Sequence, residues 1–180
     1  MKSLDALAEK QAMIFDAQSL GSSFEEVAVD VIRGDATDFV SRWFKSKKQD
    51  ADLTIWVDGD NRFVKQQLAF YGQIVEWNPI QGTRTGLIVE EESIEVSESI
   101  QFDKEVQKVA ILQAISVLEH IRQLDQRERE SLIFNLRESP KLSKNARARA
   151  IKHWALKMDE IVSDKRPTFW NRLRNWVFGG

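Results

Sequence analysis

The sequence has no cysteine, and this absence excludes several kinds of chemistry at once. Disulfide bonds, thiolate nucleophiles and cysteine-ligated metal sites all depend on that residue. A chain without it suits a reducing compartment, so we expect a cytoplasmic protein. Long apolar runs are missing too: no stretch approaches the roughly 18 apolar residues of a membrane span. Residues 1–10 also lack the apolar centre of a secretory signal. We therefore expect a soluble protein.

Histidine is nearly as scarce, and only His120 and His153 occur in the chain. Neither has a carboxylate or a second histidine at metal-ligand spacing, and the sequence contains no Gly-x-Ser-x-Gly or His-Glu-x-x-His motif. A catalytic base needs a group that orients it, and the sequence identifies no such partner. We predict no catalytic residue, no metal ligand and no cofactor, and a function other than catalysis. A site assembled from distant carboxylates is the alternative that the sequence leaves open.

Two glycine-containing segments are similar to ligand loops but are better explained as connections. Residues 58–61 (Asp-Gly-Asp-Asn) lack the further oxygens and the closing Glu of a calcium loop, so we interpret them as a hairpin turn. Residues 82–86 (Gly-Thr-Arg-Thr-Gly) lack the Gly-Lys-Ser/Thr of a P-loop. We interpret them as a loop between strands, with phosphate binding by Arg84 as the alternative.

The first half of the chain predicts helices followed by an antiparallel sheet. Apolar spacing indicates a helix over residues 4–15 that ends near Gly21, and a capping box at Ser23 opens a second helix that runs to Ile32. Residues 36–45 fit either a helical turn or a first strand. Apolar and polar residues then alternate in four closely spaced segments: 53–57, 62–70, 73–77 and 85–89. We predict an antiparallel meander of four to five strands with apolar residues on both faces.

The second half of the chain predicts helices. An acidic stretch at 90–101 is the predicted linker, and residues 106–124 carry apolar side chains over more than half of a helical circumference. We therefore predict a central helix that is buried on several sides. A shorter helix at 128–137 and a third one after Ser143 follow. The predicted fold is α+β and ends in a short amphipathic tail helix. Its regions are the α+β region 1–100, the helical region 101–165 that packs on the sheet, and the tail 166–180.

Charge is distributed unevenly along the chain. Residues 139–180 carry a balance of +7 and the remainder −9, although the whole chain carries only −2. The predicted helix after Ser143 has a basic face, formed by Lys144, Arg147, Arg149 and Lys152. Together with the helix at 128–137 it has the element order of a helix-turn-helix, which indicates nucleic-acid binding as one interpretation. The acidic balance of the chain, with a pI of about 5.8, favours a solvated basic face instead.

Large apolar residues recur at helical spacing near the end of the sequence. Trp170, Leu173 and Trp176 share one side of the predicted tail helix, Phe178 follows them, and arginines occupy the other side. Three destinations fit this pattern: the protein's own core, a groove on another protein or subunit, and an anionic membrane. We favour a protein contact, within or between chains, because the tail is short and its polar side has only two arginines.

Aromatic residues of the sheet complete the predicted binding residues. Trp56, Tyr71 and Trp77 are expected to be exposed, and large amphipathic rings often contribute most to an interface. With the tail, they predict a non-enzymatic adaptor or regulatory module that binds another protein or a second copy of itself. The alternatives are a peripheral membrane protein held by the tail and, less favoured, a nucleic-acid-binding protein that uses residues 141–157.

Overall fold

The computed structural model describes residues 15–27, 40–90 and 98–153, which form one antiparallel sheet with four helices. The sheet has seven strands, and each strand pairs with the next one along the chain. This arrangement confirms the predicted α+β class, although the sheet has more strands than the four to five expected. The predicted tail and nearly all of the predicted helix at 4–15 lie outside the described residues.

The strands and helices are numbered in chain order. The strands are β1 (Phe24–Glu26), β2 (Val40–Ser46), β3 (Ala51–Val57), β4 (Phe63–Phe70), β5 (Gln73–Asn78), β6 (Gly82–Glu90) and β7 (Glu98–Phe102). The helices are α1 (Ala17–Gly21), α2 (Lys108–His120), α3 (Gln126–Glu138) and α4 (Lys144–His153). Short turns join β2 to β6 in succession, and such turns permit only antiparallel pairing.

The segment at Ser23 corrects the prediction of a second helix. Residues 24–26 form strand β1 instead, and Phe24 is buried opposite Ser46 of β2. The Ser23 hydroxyl donates to the Leu20 carbonyl at 2.6 Å and lies 2.7 Å from the Ser46 hydroxyl. Ser23 therefore closes α1 and joins the sheet, so tertiary contacts override the local capping pattern. Helix α1 ends at Gly21, as predicted.

Two other predictions about the sheet are also wrong. Residues 82–86 are not a loop, because they begin β6 and pair with β5. The predicted linker at 90–101 contains most of β7, which pairs with β6. In both segments charged and hydroxyl side chains occupy strand positions. The sequence there lacks the alternation of apolar and polar residues from which a strand is predicted. The ambiguous segment at 36–45 is strand from Val40 onward. Residues 58–61 form the predicted hairpin turn, between β3 and β4.

The main core lies between one face of the sheet and helices α1, α2 and α3. Its buried residues include Phe44, Leu53, Leu68 and Val75 from the sheet, and Val117, Leu118 and Leu132 from the helices. Burial of each large apolar side chain is worth roughly 1.5–3 kcal/mol, so this layer supplies most of the driving force for folding. Helix α2 is the predicted central helix, with bounds inside the predicted 106–124.

Polar contacts hold helix α3 against the sheet. The helix begins with a capping box, in which Asp125 and Glu128 satisfy each other's backbone N–H groups. Deeper in the core, the Gln66 amide donates to the Leu132 carbonyl at 3.0 Å, and Asn135 donates back to Gln66 at 3.1 Å. These bonds fix the orientation of α3 across β4.

Helix α4 lies on the other side of the sheet from the main core. The chain passes the β5–β6 turn, where the Leu142 N–H donates to the Pro79 carbonyl at 2.8 Å. Leu142 and Ala150 then pack against the buried residues Trp56, Val64 and Ile80, and Trp56 points away from the main core. A second, smaller apolar cluster forms here.

Candidate protein-binding surface

Apolar side chains are exposed along the start of α2 and along β6. Val109 and Leu112 are 68% and 64% exposed, and Leu87 is 53% exposed. Val109 and Leu112 are neighbours at i, i+3 on the helix, and Leu87 and Val89 share one face of the strand at i, i+2. We call this set the α2–β6 surface. It consists of Leu87, Val89, Val106, Val109 and Leu112.

A hydrogen-bonded junction brings the helical and strand parts of this surface together. The Gln107 N–H, at the start of α2, donates to the side-chain oxygen of Thr85 at 2.9 Å. The Thr85 hydroxyl donates to Asp103 at 2.6 Å, and the Asp103 N–H donates to the Thr85 carbonyl at 2.8 Å. Leu87 lies two residues after Thr85, and Val109 lies two residues after Gln107. The exposed residues of the strand and of the helix therefore both begin close to this junction.

The exposure of α2 corrects the prediction that the central helix is buried on several sides. Its inner side, which includes Ala114 and Leu118, is fully covered by the sheet and α1. Val106, Val109 and Leu112 lie on the outer side, where the described residues leave them exposed. The sequence did indicate this surface. Apolar residues cover a larger part of the helix circumference than packing on one side requires.

Tyr71 lies at the margin of the α2–β6 surface and is partly exposed, at 38%. It occupies the β4–β5 turn with a φ of 50°. The next residue, Gly72, accepts a hydrogen bond from the Ile88 N–H of β6 at 2.9 Å. The Tyr71 ring also packs on Phe15 and Phe70, with ring centroids 6.1 and 6.4 Å away. Its expected exposure is therefore borne out in part.

Charged residues of both signs lie at the start of α2. Asp103 and Glu105 are found there together with Lys104 and Lys108, and all four are exposed. The apolar residues of the α2–β6 surface therefore have charged neighbours without an excess of either sign.

The expected exposure of Trp56 and Trp77 is wrong, because both are buried. Trp56 is 8% exposed and belongs to the cluster against which Leu142 and Ala150 pack. Trp77 is 5% exposed in the main core, and its indole N–H donates to the Pro140 carbonyl at 3.1 Å. The segment that follows α3 covers both rings, and sequence alone did not indicate where it would pack.

The face of the sheet opposite the main core is not simply apolar, as was predicted, but contains a buried charge cluster. Glu76 is fully buried and accepts from Gln67 at 2.6 Å and Asn78 at 3.1 Å. Lys65 and Arg84 lie 3.3 and 2.7 Å from its two carboxylate oxygens. Opposite charges and amide donors together compensate for the loss of water around this carboxylate. Arg84, expected in a loop, is therefore part of this cluster.

Two further ion pairs shift the pKa values of their members. A hydrogen bond from Arg42 lowers the pKa of Glu26 and, reciprocally, raises that of Arg42, which also contacts Glu128 of α3. At the β3–β4 turn, burial alone would raise the pKa of Asp58. Hydrogen bonds from the Arg62 side chain and from backbone N–H groups outweigh that effect and lower it.

Two other surfaces have features of binding sites. An open cleft of about 580 Å³ lies between α3 and the sheet, where Phe134 is 54% exposed beside Arg127 and Phe63. Helix α4 exposes Lys144, Arg147 and Arg149. The side chain of Lys152, the fourth predicted basic residue, lies outside the described part of the structure, as do the predicted tail residues Trp170, Leu173, Trp176 and Phe178.

Within the described ranges, no cluster of three or more His, Cys, Asp or Glu side chains has the arrangement of a metal site. None of the described helices combines the length and the apolar character that crossing a membrane requires. Comparison with known proteins finds no matching family model, no matching curated protein and no matching solved structure.

Proposed function

We propose that this protein acts by binding another protein chain rather than by catalysis, and that the α2–β6 surface is its binding site. The observation that carries the proposal is the exposure of Val109 and Leu112 on a helix whose inner side forms the main core. Contiguous exposed apolar residues with a polar rim are typical of protein interfaces. The absence of cysteine supports a cytoplasmic location.

This proposal keeps some of the residues predicted from the sequence and replaces others. Tyr71 stays, as a partly exposed ring at the margin of the surface. The tail residues Trp170, Leu173, Trp176 and Phe178 stay as predicted binding residues. Trp56 and Trp77 are replaced by Val109, Leu112 and Leu87, because a buried ring offers a partner little area to cover.

Nucleic-acid binding is a second candidate, favoured by the exposed side chains of Lys144, Arg147 and Arg149 on α4. Basic side chains of this kind contact phosphates. The α2–β6 surface supports the first candidate more strongly, because exposed apolar residues are costly in water whereas exposed charges are not. Membrane attachment through the tail stays a prediction from sequence.

Site-specific photo-crosslinking tests the proposed surface. A photoreactive phenylalanine analogue replaces Leu112, and a control variant carries it at Val40, which is 49% exposed on β2 and belongs to none of the candidate surfaces. Irradiation of cells that express each full-length variant should give crosslinked species at position 112, identified by mass spectrometry as one recurrent protein, a second copy included. Adding Val109→Ser should weaken that crosslink. Equal crosslinking at both positions, or none at 112 in a folded protein, would refute the proposed surface.

A further inference from the structure

We propose that the cleft between α3 and the sheet binds a small, uncharged aromatic molecule that carries a hydrogen-bond donor, such as a phenol. This site is separate from the α2–β6 surface and goes beyond the proposed function. Three properties carry the inference: the volume and aromatic lining of the cleft, the hydrogen-bond acceptors in its wall, and the balance of charge at its rim.

The apolar residues that line the cleft, within the described part of the chain, are all aromatic. Phe63 and Trp77 come from β4 and β5, and Phe134 comes from α3. Phe134 is 54% exposed, so its ring is open to a ligand. The volume of about 580 Å³ is within the usual range for small-molecule sites. Aromatic rings pack favourably against one another, so this lining favours an aromatic ligand.

Asn135 places a hydrogen-bond acceptor in the wall of the cleft. The Gln66 amide nitrogen donates to the Leu132 carbonyl, a group that can only accept, at 3.0 Å. The Gln66 amide oxygen is therefore the atom that receives the Asn135 N–H, at 3.1 Å. These bonds orient the Asn135 amide, and no described residue donates to its oxygen. The side chain is only 7% exposed, and a nearly buried acceptor without a donor is costly. A ligand that donates to this oxygen removes that cost.

Ser131 offers a second acceptor, one helical turn before Asn135. The Ser131 hydroxyl donates to the Arg127 carbonyl at 2.8 Å, so only the lone pairs of its oxygen are left for a ligand. Residues 131 and 135 are neighbours at i, i+4 on α3, and both line the cleft. Trp77 supplies no free donor, because its indole N–H donates to the Pro140 carbonyl. These groups favour a ligand that donates hydrogen bonds.

The charges at the rim of the cleft balance each other. Arg127 and Glu130 are both exposed and contribute one charge of each sign. The Glu130 carboxylate also accepts a hydrogen bond from the Gln126 side chain, at 2.9 Å. An anion attracted by the arginine would be repelled by the glutamate, and the reverse holds for a cation. A neutral ligand therefore suits this cleft better than an ion.

Titration of the full-length protein with phenol and with anisole tests the inference. Anisole has nearly the same shape, but a methyl group replaces the hydroxyl hydrogen, so it cannot donate. Backbone amide shifts in NMR spectra of isotopically labelled protein locate each probe and give its Kd, which for probes of this size is usually in about the millimolar range. We expect phenol to shift the amides of Phe63, Ser131 and Phe134 and to bind roughly tenfold more tightly than anisole. Changing the probe instead of Asn135 leaves the hydrogen bond to Gln66 intact.

Variants of α3 give an independent test. Phe134→Ala should weaken phenol binding several-fold, because it removes the most exposed ring of the cleft. Arg137→Ala is the control: it shortens an exposed side chain of the same helix that does not line the cleft, so phenol binding should stay unchanged.

Several outcomes would overturn the inference: equal affinity for phenol and anisole, phenol shifts confined to residues outside the cleft, no binding of phenol in the millimolar range, or unchanged binding by folded Phe134→Ala. The comparison of the two probes needs no variant, so it decides the question even if a variant fails to fold.

Discussion

The carboxylate of Glu76 lies 3.3 Å from the ammonium nitrogen of Lys65, and both side chains are excluded from solvent. Arg84 and Gln67 complete the contacts to this carboxylate. These groups come from three neighbouring strands, β4, β5 and β6. A slip of one residue in any of them would turn a charged side chain into the main core, so the cluster favours one register of the sheet.

Replacement of Glu76 by glutamine should destabilise the fold by roughly 3 kcal/mol, because Lys65 and Arg84 would lose their buried counter-charge. Urea unfolding followed by tryptophan fluorescence measures the change. Glu130→Gln, an exposed position on α3, serves as the control and should lie within about 0.5 kcal/mol of the parent protein. Similar effects in both variants would contradict the structural role of the cluster.

Gly21→Ala should also destabilise the protein, for a steric reason. A Cβ atom at this position would lie 2.5 Å from the Val117 carbonyl oxygen and 2.7 Å from the His120 Cβ, so α1 would have to move away from α2. Overpacking of this kind costs about 1–3 kcal/mol. Gly59→Ala is the control, since a Cβ atom added there would meet nothing within 4 Å. We expect a lower midpoint of thermal unfolding for the Gly21 variant alone.

Much of the fold follows from local patterns in the sequence. The alternation in residues 53–57 and 73–77 predicted strands within two residues of their observed ends, and the turn at 58–61 was recognised from its Asp-Gly pair. Predictions from local patterns were wrong where long-range contacts decide which element a residue belongs to. Ser23 forms a hydrogen bond to Ser46 of β2, which no local rule anticipates. Arg84 lies in a strand, where the distant residue Glu76 neutralises its charge.

The candidate surface was harder to predict than the fold. Periodicity shows that α2 has apolar residues on more than one side, but not which of them the sheet covers. Val109 and Ala110 are adjacent and both apolar, yet the first is exposed and the second is buried. Trp56 gives the opposite result, because it was expected to be exposed and is buried. Alternation along β3 directs its ring away from the main core, but the segment that contains α4 covers that side of the sheet. Exposure depends on how the helices are placed, and that is a tertiary property.

Asp58 provides a pH-dependent prediction. Hydrogen bonds from Arg62 and backbone N–H groups lower its pKa in the folded protein, so the ionised carboxylate stabilises the fold. Asp58→Asn should cost about 1.5 kcal/mol at pH 7. The difference from the parent should stay constant between about pH 5 and 8 and shrink as pH falls below about 4, where the unfolded carboxylate gains its proton first.

Urea unfolding of both proteins across this pH range measures the effect. Asp60→Asn is the matched control, because Asp60 also lies near Arg62, at 2.9 Å, but is mostly exposed. We expect its effect to be small at every pH, as is usual for an exposed ion pair. A difference between parent and Asp58→Asn that grows as the pH falls would contradict the direction of the pKa shift.

The basic face of α4 should not confer tight nucleic-acid binding. Arg147 and Arg149 are exposed, but Ala146 and Ala148 beside them have no groups that read base edges, and the chain as a whole carries −2. We expect fluorescence anisotropy at about 150 mM salt to show only the weak non-specific range, with Kd above roughly 1 µM, on a duplex of about 20 base pairs. A submicromolar complex with steep salt dependence would contradict this expectation. Two double variants would then locate the contact. Arg147→Glu with Arg149→Glu changes the charge on α4, and Arg122→Glu with Arg127→Glu makes the same change of charge at exposed positions outside α4. If only the first double variant abolished the complex, α4 would become the leading functional site.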